Sequence, residues 1–151
     1  MKKSKRRLTR TVVILIVLII IIIAASVLIT KFFPNKPAVG VPVYAPKGQL
    51  VPQFPSALIL DKTSGVSNSY SINYSTTTNQ YTAEYNSSNT VKALYNEYSS
   101  YVSNNGWTIT RALTTYPTFD ALSATNGSNQ LQVVISMQTK GSHVTITEVV
   151  K

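Results

Sequence analysis

"NTVKALYNEYSSYVSNNGW", residues 89–107, decides the fold because it is where the period of the sequence changes. Val91, Leu94, Tyr95, Tyr98, Tyr101 and Val102 recur three or four residues apart, and at about 3.6 residues per turn that spacing gathers them on one side of a helix. Asn89 or Ser88 is the expected cap, since a side-chain oxygen there satisfies an orphan N–H of the first turn. Gly106 is the expected stop, because glycine enters the left-handed region that other residues resist.

On both sides of this segment the period is two. Before it, "ALIL" reads as a short strand, and "SYSINYS" and "QYTAEYN" alternate around the turn-like "TTTN", which predicts a hairpin. After it come "WTITRAL", "TFDALSAT", "QLQVVISMQ" and "HVTITEVV", with Asn126-Gly127 and Lys140-Gly141 as tight turns between the last three. Leu131, Val133, Ile135, Met137, Val144 and Ile146 are expected to face the helix, and Gln132, Ser136, Gln138, Thr145 and Thr147 to face water. The fold class is therefore α+β: a small antiparallel sheet with one helix packed on one face.

Ahead of this domain the composition is different. Val12 to Ile29 is a run of eighteen residues with no charge; as a helix it is about 27 Å long, close to the roughly 30 Å hydrocarbon core of a bilayer. Net charge is +9, and Lys2, Lys3, Lys5, Arg6, Arg7 and Arg10 place +6 of it before the run. The other eight basic and five acidic residues leave +3. The basic excess is thus topological, keeping the amino terminus in the cytoplasm beside anionic headgroups and exporting the rest. A competing reading is a signal peptide cleaved after Ser26, given the small residues Ala24-Ala25-Ser26; the apolar run continues through Ile29, which favours an anchor. With no cysteine there is nothing to acylate as in a lipoprotein, and the glycine-glutamate processing signal of type IV pilins is missing.

Six of the seven prolines fall between Pro34 and Pro55, a density that favours polyproline II geometry and a spacer. Some twenty such residues reach up to roughly 60 Å. The alternative is that Val51 to Leu60, where apolar residues return, packs on the domain as an ordered arm. The expected organisation is a basic cytoplasmic tail over 1–10, a transmembrane helix over 11–30, a proline-rich linker over 31–55 and an extracytoplasmic domain over 56–151.

Pro55-Ser56-Ala57 before the first strand, and the helix running from Thr90 into Gly106-Trp107-Thr108, resemble a group of uncharacterised bacterial exported domains. In these, anchored by a single span or as lipoproteins, a proline-glycine-alanine segment leads to a hairpin, an aromatic helix ends in glycine-tryptophan, and a strand meander follows. The resemblance covers residues 52–150, with Ser56 standing where glycine is common. It implies a bacterial origin and a non-catalytic envelope module, and it names no ligand. In a eukaryotic secretory pathway, Asn73, Asn86 and Asn126 would be potential glycan acceptors.

The chemical inventory is short. One histidine (His143), five carboxylates (Asp61, Glu84, Glu97, Asp120, Glu148) and no cysteine leave no thiol chemistry. A serine nucleophile would have only His143 as its usual base, and that residue reads as a solvated turn histidine. The carboxylates lie on separate elements rather than as a pair flanking a cleft. No ligand spacing for a metal and no phosphate-cradling glycine loop occurs, and turn chemistry accounts for "NGSN" at residues 126–129. No enzyme activity, metal or cofactor is expected. Lys62, Lys92, Arg111 and Lys140 are isolated and make no nucleic-acid stripe.

Nine tyrosines among many Ser, Thr, Asn and Gln are the feature most open to a functional reading, because tyrosine contributes contact area at low entropic cost. Tyr70, Tyr74, Tyr81, Tyr85, Tyr95, Tyr98 and Tyr101 lie on apolar stripes and are expected in the core. Tyr44 and Tyr116 are the candidates for exposed contact. Two functions are compatible with this sequence. One is an extracytoplasmic module on the lipid bilayer that binds a cell-wall polymer or a protein through an uncharged sheet face. The other is an accessory subunit of a secretion, division or surface-appendage complex.

Overall fold

The computed structural model describes residues 38–151. Lys2, Lys3, Lys5, Arg6, Arg7, Arg10, the expected span and the first part of the linker lie outside the described residues. Among the described residues no helix is long and apolar enough to cross a membrane.

The chain forms β1 (Pro42–Tyr44), a 3-10 turn (Ser56–Leu58), β2 (Val66–Asn73), β3 (Asn79–Ser87), α1 (Val91–Asn104), β4 (Thr108–Thr115), β5 (Phe119–Asn126), β6 (Asn129–Met137) and β7 (Ser142–Val150). All seven strands join one antiparallel sheet in the order β1-β2-β3-β7-β6-β5-β4. The hairpin and the four-strand meander expected from period two are both present, and β7 unites them by pairing with β3.

α1 buries Val91, Leu94, Tyr98 and Val102 and lies against β4, β5 and β6. Its cap is Thr90, one residue later than expected: Thr90 Oγ1 accepts from Ala93 N–H at 3.3 Å. Asn89, one of the expected caps, is instead held by its backbone, its N–H donating to Ser87 Oγ at 3.1 Å and its carbonyl accepting from Ser142 Oγ. At the other end Gly106 takes φ +77°, so Trp107 N–H turns back to the Val102 carbonyl at 3.0 Å and closes the last turn.

Beneath the helix, the sheet's inner face carries Ala83, Tyr85, Leu122, Ala124, Leu131, Val133, Ile135, Val144 and Ile146, all buried. Met137, expected with them, is 54% exposed. It ends β6 at an open hollow beside Val91 at the start of the helix, and its N–H is bound to the Thr118 carbonyl of the β4–β5 connection.

The other half of the inner face is covered by the arm given above as the alternative to a free spacer, two of its residues from the expected linker and two from the expected first strand. Val51, Phe54, Leu58 and Ile59 are buried in the same core, and Val51 N–H donates to Ser69 Oγ at 3.1 Å. The packed structure thus begins before residue 56, and the ordered arm reaches back to β1. Proline permits this because an edge strand leaves one side of its backbone unpaired, and Pro42 opens the strand. "ALIL" is not a strand. Leu58 N–H and Ile59 N–H fold back onto the carbonyls of Pro55 and Ser56, burying two consecutive apolar side chains, which strand alternation cannot do.

Two polar knots fix the arm. Tyr98 Oη donates to the Leu58 carbonyl at 2.7 Å and lies 2.9 Å from Tyr85 Oη; burial pushes both phenols above their ordinary pKa. Asp61 accepts from Ser87 Oγ at 2.5 Å, Thr63 Oγ1 at 2.6 Å, Ser64 Oγ at 2.7 Å and Thr63 N–H at 3.0 Å. These donors, Ser87 first, hold its carboxyl well below the usual carboxylate range.

Candidate functional site: the outer face of the sheet

The sheet face opposite the helix follows from register. Residues directly opposite across an antiparallel pair share a face, so one row crosses all seven strands: Tyr44, Tyr70, Thr82, Thr147, Gln132, Ser123 and Arg111. A parallel row runs Pro42, Ile72, Gln80, Val149, Gln130, Thr125 and Thr108. Except for Arg111, neither row carries a charge. Six inter-strand steps of about 4.8 Å give each a length of roughly 29 Å.

Side chains along these rows are tied to one another. Gln80 Nε2 donates to Thr82 Oγ1 at 3.2 Å, Thr82 Oγ1 lies 3.3 Å from Thr147 Oγ1, and Tyr74 Oη donates to Gln80 Oε1 at 3.2 Å. Farther along, two hollows open. One of about 370 Å³ lies among Gln80, Thr147, Gln130, Gln132, Ser123 and Thr125. A second, of about 190 Å³, is bordered by Arg111, Leu113, Phe119 and Val134. Both are bordered by Ser123 and Gln132, so the two hollows adjoin, and together they form the trough of this face.

Tyr44 is 60% exposed and heads this row, its ring 5.3 Å from that of Tyr70 and tilted by 47°. Tyr116, the other expected contact residue, is not brought to it. It stands in the β4–β5 connection, 65% exposed, with Lys92 Nζ 6.0 Å from its ring and Met137 lining the same small hollow. The seven tyrosines expected in the core divide. Tyr85 and Tyr98 are fully buried, and Tyr81, Tyr95 and Tyr101 pack at its margin. Tyr70 faces outward and Tyr74 is 48% exposed, because the inner position beside Ala83 is taken by Ser69, which holds the arm.

His143 is the second residue of β7, at the start of the strand beside the turn as expected, and stands opposite Asn86. Its Nδ1 is 3.0 Å from Asn86 Oδ1, while Thr145 Oγ1 at 3.5 Å and Glu84 Oε2 at 3.7 Å both approach Nε2. A nucleophile relay needs hydroxyl and carboxylate on opposite ring nitrogens; here they share one. Glu148 is buried on the inner face between Tyr81 and Leu131, and burial raises its pKa. Among the described residues no three His, Asp or Glu side chains gather as a metal site.

Comparison with known protein families, curated proteins and solved structures gives no match to this chain. Sequence reading missed Tyr70, Thr82, Gln132 and Ser123 as neighbours. Period two placed them on one side of their own strands, but only the pairing register lines them up.

Proposed function

We propose that the chain is a membrane-anchored, extracytoplasmic, non-catalytic module that binds an envelope or extracellular partner through the outer face of its sheet. The observation that carries this reading is the uncharged row from Tyr44 to Ser123, which ends in an open trough on the face the core does not use. Tyrosine, glutamine and threonine there offer contact area together with donors and acceptors. The basic flank ahead of Val12 to Ile29 supports export of the domain.

The alternative, an accessory subunit of a membrane assembly, is favoured by β4, a sheet edge of eight residues exposed along its whole length. Its free backbone groups suit strand addition by a neighbouring protein.

Protease added to intact cells tests the topology: digestion of the globule is expected, and full protection overturns it. Full-length protein incubated with envelope fragments tests the binding. Co-sedimentation lost in Ser123→Trp, which fills the hollows of the outer face, supports the module. Co-purification with other membrane proteins, lost when β4 carries Leu113→Pro and kept in Ser123→Trp, favours the subunit instead.

A further inference from the structure

The geometry points to an uncharged polysaccharide strand as the ligand of the outer trough, an inference that rests on the outer face being the binding surface. Charge is the first reason. The residues lining the larger hollow are neutral, and elsewhere on this face Glu84 lies beside His143 while Arg111 borders the far end. An anionic polymer would meet one cation along roughly 29 Å, whereas a string of phosphates or carboxylates is held by repeated Arg, Lys or backbone N–H groups.

Hydrogen-bonding chemistry is the second reason. Sugar hydroxyls both donate and accept, and the same is true of the hydroxyls of Thr147, Ser123 and Thr125 and the amides of Gln130 and Gln132. Gln130 and Gln132 are exposed in the trough. A carboxylate or an ammonium offers only one of the two roles.

Direction is the third. The trough crosses the strands, whose interior peptide groups are already used in the ladders. An extended peptide laid there gains no backbone pairing, which is its main source of affinity in strand addition. A glycan needs none. At the β1 end, the paired rings of Tyr44 and Tyr70 and the side chain of Ile72 present apolar surface in line with the hydroxyls and amides, matching a pyranose ring with its C–H faces and hydroxyl rim.

The test uses full-length protein in lipid nanodiscs, titrated with chitohexaose, cellohexaose and maltohexaose, and with heparin and polyglutamate as anionic probes. Saturable binding of at least one neutral oligosaccharide is expected. Tyr70→Ala is expected to weaken it about tenfold and Gln132→Ala about threefold, and Ser123→Trp to abolish it by filling the trough. The thermal midpoint of Gln132→Ala should stay at the wild-type value, which separates lost contact from lost fold. Binding of only the anionic probes overturns the inference, as does neutral binding indifferent to both Gln132→Ala and Ser123→Trp. If wild-type protein sediments with envelope fragments in a Ser123-dependent way yet binds none of the three oligosaccharides, the ligand class fails and the face survives. If Ser123→Trp leaves sedimentation unchanged, the face itself fails.

Discussion

The two faces of the sheet are built from the same strands and differ in what their side chains touch. On the inner side the row Ser69, Ala83, Ile146, Val133, Leu122 and Ala112 is sealed under the helix and the arm from Ser69 to Leu122. One residue along each strand, the outer row is polar, and Gln132 and Arg111 stand in solvent. Most of the stability therefore resides on the inner face; on the outer one Thr82 alone of the row is fully buried, beneath its bonds to Gln80 and Thr147, and the exposed positions beside it are free to vary their chemistry. A polar face can be read as a binding surface here because the core does not need it.

The largest expected effect comes from the inner row. Ile146→Ala removes a fully buried side chain and should cost about 2–5 kcal/mol in urea unfolding, the range for cavity-forming changes. A loss under about 1 kcal/mol would break the distinction between faces. Tyr98→Phe keeps the ring but strands the Leu58 carbonyl and the Tyr85 hydroxyl. It should cost about 1–3 kcal/mol, with faster proteolysis of the arm as the local readout.

Acid gives a third contrast. Because its hydrogen bonds depress the folded pKa of Asp61, the unfolded chain binds the proton more readily. The stability contributed is full above the ordinary carboxylate pKa of about 3.9 and is lost as pH falls from there toward the depressed value. Asp61→Ala should lower stability at neutral pH and flatten the acid limb of the stability profile. Glu148 has the opposite sign, since burial raises its folded pKa. Its penalty is present above that pKa and relieved on acidification, so Glu148→Gln should raise the midpoint at neutral pH by under about 1 kcal/mol equivalent. Smallest of all, Gln132→Ala should move stability by no more than about 0.5 kcal/mol.

Sequence spacing revealed the helix, its Gly106 stop, the hairpin and the meander, because each depends on local period and turn chemistry. The arm was legible only as an alternative. The return of apolar residues from Val51 to Leu60 suggests packing, but proline density suggests a spacer, and the partners that decide between them, Ser69 and Tyr98, are distant in the chain. Met137 keeps the inward period of β6 but lines an open hollow at the start of the helix, and period alone carries no information about where cover stops. The outer row was invisible for a different reason. Aligning seven residues across seven strands requires every loop length and the irregularities near Asn68 and Arg111, and a one-residue slip anywhere would move a strand's contribution to the other face.

The position of β7 between β3 and β6 has a consequence for biogenesis. It is the last of these seven strands in chain order and the one both halves wait for. Until it arrives, the nascent hairpin and the unfinished meander each present a bare hydrogen-bonding edge, the kind of surface that chaperones cover. Closure of the sheet is thereby deferred until synthesis has passed Val150, and a chain cut short before Ser142 would carry two unjoined, sticky portions of sheet rather than a smaller domain.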